Sequence, residues 1–362
     1  MAKRALREDD PALTAADETE RVAGAPLPRE RANFVGHAET LKTLCGNLAS
    51  GRMPHGLILA GPRGIGKATL AYRLARYLFK YGFTARGPED FAVAADDKVF
   101  HYVAAGAHPD LLIVRRAWDF KAKKVKSELS VDEARKLPGF FSQHAAMDGA
   151  RVAIVDSADD MNRFAANALL KALEEPPTRT IVILTSHSPG GLLPTIRSRC
   201  RVLTMHPLSG GEVEAGLMEL APDAPAKDKS RALALAEGSL GLALELLDAK
   251  VLELHEQFVA LMARWPDVDA RALHKMAQGA AAAGDSGFAR FADLALAELS
   301  RGVRAAAKGE GGKAALSASM NRLGPERASA LHEHLRGAFR EADYANLDKR
   351  QAIVSALINA RR

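Results

Sequence analysis

The stretch that decides the fold is residues 56–75, which reads GLILAGPRGIGKATLAYRLA. The four apolar residues 57–60 predict a buried strand, and leucines at helical spacing predict a helix that begins near Lys67. The glycine-rich loop 61–66 lies between them. Strand, loop and helix in this order are typical of a P-loop, in which backbone N–H groups, the helix N-terminus and the lysine charge bind a phosphate. The stretch therefore predicts a P-loop nucleotide-binding fold.

The same stretch departs from the motif at the position that normally holds magnesium. A P-loop places Ser or Thr directly after the lysine, and this chain has Ala68. Thr69 follows, but successive helix residues point about 100° apart, so its hydroxyl is not expected in the same place. With these residues included, the predicted nucleotide-binding set is Gly61, Pro62, Gly64, Gly66, Lys67, Ala68, Thr69 and Asp156.

Asp156 ends a second apolar run, residues 151–156, and fits the acid that holds Mg²⁺ through water in an active P-loop ATPase. The alternative is a strand-end acid that caps the next helix. The following residue is Ser157, whose hydroxyl cannot serve as an efficient general base. Asp159 and Asp160 come later, past the expected strand end. We therefore expect phosphate binding to survive and ATP turnover to be poor.

Further buried-strand patterns alternate with helical ones up to Pro207, at residues 111–114, 180–186 and 201–205. This alternation predicts an α/β fold with a parallel sheet covered on both faces. After Pro207 the pattern is helical. The predicted organisation is a disordered leader, the P-loop domain, a helical lid and an all-α domain, at residues 1–28, 29–207, 208–249 and 250–362.

A short helical turn ending in Cys200 carries two arginines, Arg197 and Arg199. Residues two apart on a helix face different ways, so the two side chains cannot do the same job. The pattern alone favours a surface arginine pair. The alternative is an arginine finger, a side chain that reaches another subunit's γ-phosphate and stabilises transition-state charge in trans.

The chain has 362 residues, a net charge of +6 and two cysteines. This length suits about two or three domains, and the charge leans towards polyanion partners. Two cysteines and no secretory signal point to a reducing cytoplasm, and no apolar run is long enough to span a membrane.

The lysines between 121 and 126 favour a solvated hairpin, with nucleic-acid contact as the alternative.

The residues resemble the AAA+ clamp-loader subunits of bacterial DNA polymerase III, over about residues 30–360. The resemblance rests on GPRGIGKA, AHPD, NALLKALEEPP, IRSRC and NLDKRQA, at residues 61–68, 107–110, 167–177, 196–200 and 346–352. It implies a RecA-like AAA+ module, a helical lid and a helical collar that joins the subunits into a ring.

The resemblance also separates two kinds of subunit. The gamma/tau motors carry Ser or Thr after the P-loop lysine, Glu after the strand-end Asp, and Arg in the lid sequence Gly-Ser-x-Arg. This chain has Ala68, Ser157 and Gly241 at these positions. The resemblance therefore implies a catalytically silent subunit that supplies Arg199 as the finger for a neighbour's ATP.

The implied partners are the gamma/tau and delta subunits, the sliding clamp and primed DNA, with no membrane. ATP is possible but not required, and the lack of cysteine in residues 80–110 predicts no zinc module. A competing hypothesis is an active ATPase, a gamma/tau-like motor or another DNA-associated AAA+ protein. It requires Thr69 and either Asp159 or Asp160 to replace the missing groups. A third hypothesis is a free-standing nucleotide switch.

Overall fold

The computed structural model describes Asp17 and residues 25–121, 124–143, 145–147, 149–309, 316–345 and 347–361. The chain divides into two compact units, Met1–Glu245 and Leu246–Arg362. The lid thus shares a unit with the P-loop domain, and the predicted domain boundaries stay predictions. None of the described helices is long and apolar enough to cross a membrane.

The leader predicted to be disordered lies mostly outside the described residues. Within it, the buried carboxylate of Asp17 forms ion pairs with Arg29 and, at 2.6 Å, with Arg115. Ala25 and Leu27 are also buried.

The first unit is built on a five-stranded sheet. Its strands are β1 (Gly56–Ala60), β2 (Leu111–Val114), β5 (Arg151–Val155), β6 (Thr180–Ser186) and β7 (Arg201–Thr204). They lie in the order β2-β5-β6-β1-β7, and every pairing is parallel. A separate antiparallel hairpin pairs β3 (Trp118–Asp119) with β4 (Lys124–Val125). The predicted parallel sheet is confirmed. Continuous apolar runs form it because strands covered on both faces need no polar side.

The first six helices of the unit bury apolar faces against the sheet. They are α1 (Ala38–Ala49), α2 (Lys67–Tyr81), α3 (Lys98–Ala104), α4 (Val131–Phe141), α5 (Arg163–Glu174) and α6 (Pro194–Arg197). The lid consists of α7 (Gly210–Leu220), α8 (Ala226–Leu235) and α9 (Leu240–Glu245). Asn162 caps α5 by accepting from two backbone N–H groups. Two prolines after Glu175 prevent α5 from continuing.

The second unit is helical throughout its described residues, as the sequence predicts. It contains α10 (Ala249–Ala263), α11 (Ala270–Ala282), α12 (Gly284–Ala307), α13 (Ser317–Leu323), α14 (Pro325–Tyr344) and α15 (Lys349–Asn359). Its core includes the aromatic side chains of Phe258, Phe288, Phe291 and Phe339, which pack edge to face or tilted. These helices form the all-α domain that the sequence analysis equates with the collar.

Candidate functional site

The P-loop follows β1, the strand that lies between β6 and β7. Gly64 has φ +76°, a left-handed conformation that favours glycine. The Lys67 ammonium folds back over the loop and donates hydrogen bonds to the carbonyl oxygens of Gly61, at 2.7 Å, and Pro62, at 2.6 Å. Burial lowers the pKa of Lys67 to about 8, against the opposing field of Asp156 and Asp159. A bound phosphate would favour the charged form of this lysine.

The two residues after Lys67 have different surroundings. Ala68 is half-buried and carries no hydroxyl. Thr69 is 5% exposed and lines a small cavity together with Phe34 and Leu240. Its side chain therefore belongs to the cavity beside the loop, whereas Lys67 lies over the loop itself.

Asp156 lies at the carboxyl end of β5, and its Oδ1 accepts a hydrogen bond from the Thr185 hydroxyl at 2.6 Å. Thr185 belongs to β6, the strand between β5 and β1. The acid and the P-loop thus lie at the same edge of the sheet, separated by one strand. The sequence alone could not show that Thr185 bonds to Asp156.

Asp159, the next acid along the chain after Asp156, is already hydrogen-bonded. Asp159 accepts from the Ser157 hydroxyl at 2.7 Å, the Ser186 hydroxyl at 3.0 Å and the His187 backbone N–H at 2.8 Å. Burial opposes ionisation, but the hydrogen bonds from His187 and Ser157 hold the pKa of Asp159 well below its ordinary value. A carboxylate that takes up protons so weakly makes a poor general base at neutral pH.

Asp160 is engaged by a different partner. Its carboxylate pairs with Arg116 at 3.3 Å, while burial raises its pKa. Both carboxylates are therefore already bound to neighbouring groups.

The lid contacts the P-loop directly. The Ser239 hydroxyl donates to the carbonyl of Arg63 at 2.9 Å, and the Gly241 N–H donates to the carbonyl of Gly64 at 2.8 Å. A Cβ added at Gly241 would lie 2.8 Å from the Gly64 Cα, closer than ordinary carbon contacts allow. Glycine at this position therefore lets the two backbones touch. We call this contact the P-loop–lid seam.

A cavity beside the seam is bounded by the segment before α1, the P-loop and the lid, and its lining includes Arg31, Phe34, Gly66 and Leu240. Its free volume is about 20 Å³. That volume suits a single water molecule and is far below the size of a nucleotide site.

Arg199 lies between α6 and β7. Its Nη1 donates to the carbonyl oxygen of Thr195 at 3.0 Å, and its Nη2 pairs with the Oε1 of Glu174 at 2.8 Å. The Arg199 side chain is 34% exposed. Arg197 is exposed on α6. The two arginines thus have different surroundings. No pattern in the sequence predicted the ion pair between Arg199 and Glu174.

Among the described residues, no group of three or more His, Cys, Asp or Glu could hold a metal ion. The absence of a zinc module stays a prediction. The lysine run at 121–126 falls partly outside the described residues, and its contact with nucleic acid is likewise untested.

A parallel sheet with a P-loop after β1, an acid at the end of β5 and a helical lid in contact with the loop defines an AAA+ domain. Residues 36–209 match the family described as DNA polymerase III, delta subunit.

Named relatives agree with this assignment. The chain is 37% identical over 206 residues to DNA polymerase III subunit delta' of Pseudomonas aeruginosa, which is 57% of this chain and 59% of the relative. It is 33% identical over 205 residues to subunit delta' of Escherichia coli K12, covering 56% and 57% of the two chains. Subunit tau of the same organism is 30% identical over 229 residues, 62% of this chain and 33% of tau. The matches to the delta-prime relatives thus span somewhat more than half of their length.

Proposed function

We propose that the chain acts as the delta-prime subunit of a bacterial DNA polymerase III clamp loader, a catalytically degenerate AAA+ arm. In this role it joins gamma/tau and delta subunits and helps to load the sliding clamp onto primed DNA. The matches to delta-prime relatives support this proposal. The main support is a combination of two observations. The Arg199 side chain is partly exposed. The chain's own positions for the magnesium ligand and the general base hold Ala68 and Ser157.

The chain's own nucleotide site supports weak binding at most. Lys67 and the loop backbone are the groups that would hold phosphates, and Mg²⁺ would supply charge neutralisation when bound. Ala68 offers the metal no ligand. The carboxylates of Asp159 and Asp160 are committed to neighbouring groups. ATP binding is therefore compatible with the site but not required for the proposed role.

Arg199 would act on ATP held by a neighbouring subunit. Its guanidinium is always charged and can donate parallel hydrogen bonds to phosphate oxygens. Charge accumulates on those oxygens in the transition state, so an arginine that enters the site accelerates hydrolysis there. DNA contact by the assembled complex would be through phosphates and would weaken as salt rises.

The first experiment is ATP hydrolysis by the purified chain, with and without DNA, paired with a nucleotide-binding titration. We expect no turnover. Robust turnover that Lys67→Ala abolishes would contradict the proposal and favour the motor hypothesis.

A second experiment tests the finger in the assembled loader. Arg199→Ala should leave the chain folded and reduce DNA-stimulated ATP hydrolysis, whereas Arg197→Ala, the matched control, should not. Unchanged hydrolysis with Arg199→Ala would remove the finger assignment.

The third experiment tests the collar. Deleting residues 250–362 should abolish co-purification with gamma/tau, because the helical domain is expected to hold the ring together without nucleotide. A truncated chain that still co-purifies would refute that role.

A further inference from the structure

The segment that carries Arg199 packs against the start of β1 and continues into β7, which pairs with that strand. A Cβ added at Gly56, the first residue of β1, would lie 2.8 Å from the Cys200 Sγ and 3.2 Å from the Arg199 carbonyl oxygen. The same point is 3.2 Å from a side-chain carbon of Leu173, on α5. The ends of α5 and α6 therefore pack on the same residue of β1, and their separation is set by that packing.

Glu174 is the last residue of α5 and lies next to this packed core. A carboxylate at a helix C-terminus is disfavoured by the helix dipole, because the carbonyl end already carries partial negative charge. A nearby cation offsets this cost. Arg199 supplies one through the 2.8 Å pair between its Nη2 and the Glu174 Oε1.

The guanidinium is held on two sides. The Thr195 carbonyl accepts from Nη1, and Glu174 accepts from Nη2. A longer contact joins Nη1 to the Ser198 hydroxyl at 3.4 Å. Together these contacts use at most three of the five N–H donors of an arginine, so others remain available to a phosphate. A long side chain held in this way loses less rotamer freedom when it engages a ligand than an unrestrained one does.

We propose that Glu174 is a positioning residue for Arg199. It holds the guanidinium at the exposed end of α6 so that the remaining donors face the neighbouring subunit. The inference rests on the proposed arginine finger and adds a residue to that site. Glu175, the next residue, is exposed at the end of the same helix and provides a matched control.

The test measures DNA-stimulated ATP hydrolysis in the reconstituted loader, with kcat and KM for ATP determined separately. Glu174→Ala should lower kcat roughly 2- to 5-fold, the range expected for losing one exposed ion pair, with KM unchanged. Glu174→Gln should restore most of kcat because the amide oxygen still accepts from Nη2. Glu175→Ala should match the wild type. Thermal unfolding and assembly of each variant should also match the wild type.

The outcomes separate this inference from the proposed function. If Arg199→Ala lowers hydrolysis while Glu174→Ala does not, the finger stands and the role of Glu174 is refuted. If Glu174→Gln lowers kcat as much as Glu174→Ala does, a positioning hydrogen bond is also refuted. If Arg199→Ala itself has no effect, the proposed finger fails, and the role of Glu174 fails with it.

Discussion

Replacing Gly241 by alanine should open the P-loop–lid seam. The added Cβ would lie 2.8 Å from the Gly64 Cα and 3.2 Å from the Gly64 carbonyl oxygen. Carbon atoms in contact are normally about 3.5–4.0 Å apart, so the lid would have to retreat by roughly 1 Å. That movement would strain or break the hydrogen bond from the Gly241 N–H to the Gly64 carbonyl.

The expected change in the free energy of unfolding is the sum of two destabilising effects and one stabilising effect. A lost hydrogen bond costs about 0.5–1.5 kcal/mol, and an overpacked methyl group costs about 1–3 kcal/mol. Alanine regains about 0.5–1 kcal/mol relative to glycine in a helix. We therefore expect Gly241→Ala to lower the free energy of unfolding by about 0.5–4 kcal/mol.

The assay is urea unfolding of the full chain, with hydrogen exchange of the residue 241 amide to locate the effect. Gly337→Ala in α14 is the matched control, because a Cβ there meets no heavy atom within 4 Å. It should stabilise by about 0.5–1 kcal/mol. If the two variants were equally stable and the residue 241 amide kept its protection, the close approach would not be the constraint that we infer.

Three further predictions concern the scaffold around the site. Burial lowers the pKa of His108 to about 4, so below pH 6.5 the unfolded chain takes up a proton that the native residue does not. The wild type should therefore lose about 2 kcal/mol of unfolding free energy between pH 6.5 and about pH 5 because of His108. His108→Asn should lack this loss, and urea unfolding at both pH values measures the difference. Burial opposes ionisation of Glu298, but a hydrogen bond from His255 keeps its pKa lowered. Glu298→Ala should destabilise the second unit by about 3 kcal/mol above pH 4.5 and by less as the pH falls below it, and an unchanged urea midpoint at neutral pH would contradict this. Gly56→Ala should cost about 1–3 kcal/mol because its methyl group meets the Cys200 Sγ at 2.8 Å, and wild-type thermal stability would rule out that packing.

The strands and helices of the first unit could be predicted because their signals are local. Residues 57–60 are continuously apolar, and α5 ends where two prolines forbid its continuation. The P-loop was likewise predictable, since its glycines and Lys67 are adjacent in sequence. Each of these features depends on a few neighbouring residues.

The contacts that determine how the site works could not be predicted because they join distant parts of the chain. The order of the sheet inserts β6 between β5 and β1, and only this order brings Thr185 to Asp156. The pair between Glu174 and Arg199 depends on how the ends of α5 and α6 pack. The resemblance to clamp-loader subunits identifies Gly241 as a position where the motor subunits carry arginine, but its close approach to the P-loop is visible only in the folded chain.

The retained Lys67 is explained without nucleotide. A P-loop lysine is ordinarily interpreted as a phosphate ligand, which would suggest an active site. Here its ammonium donates to the carbonyls of Gly61 and Pro62, two loop groups that would otherwise need other donors. Lys67 therefore stabilises the loop on which the lid rests. Because the lysine has this structural role, the presence of Lys67 alone does not argue for turnover.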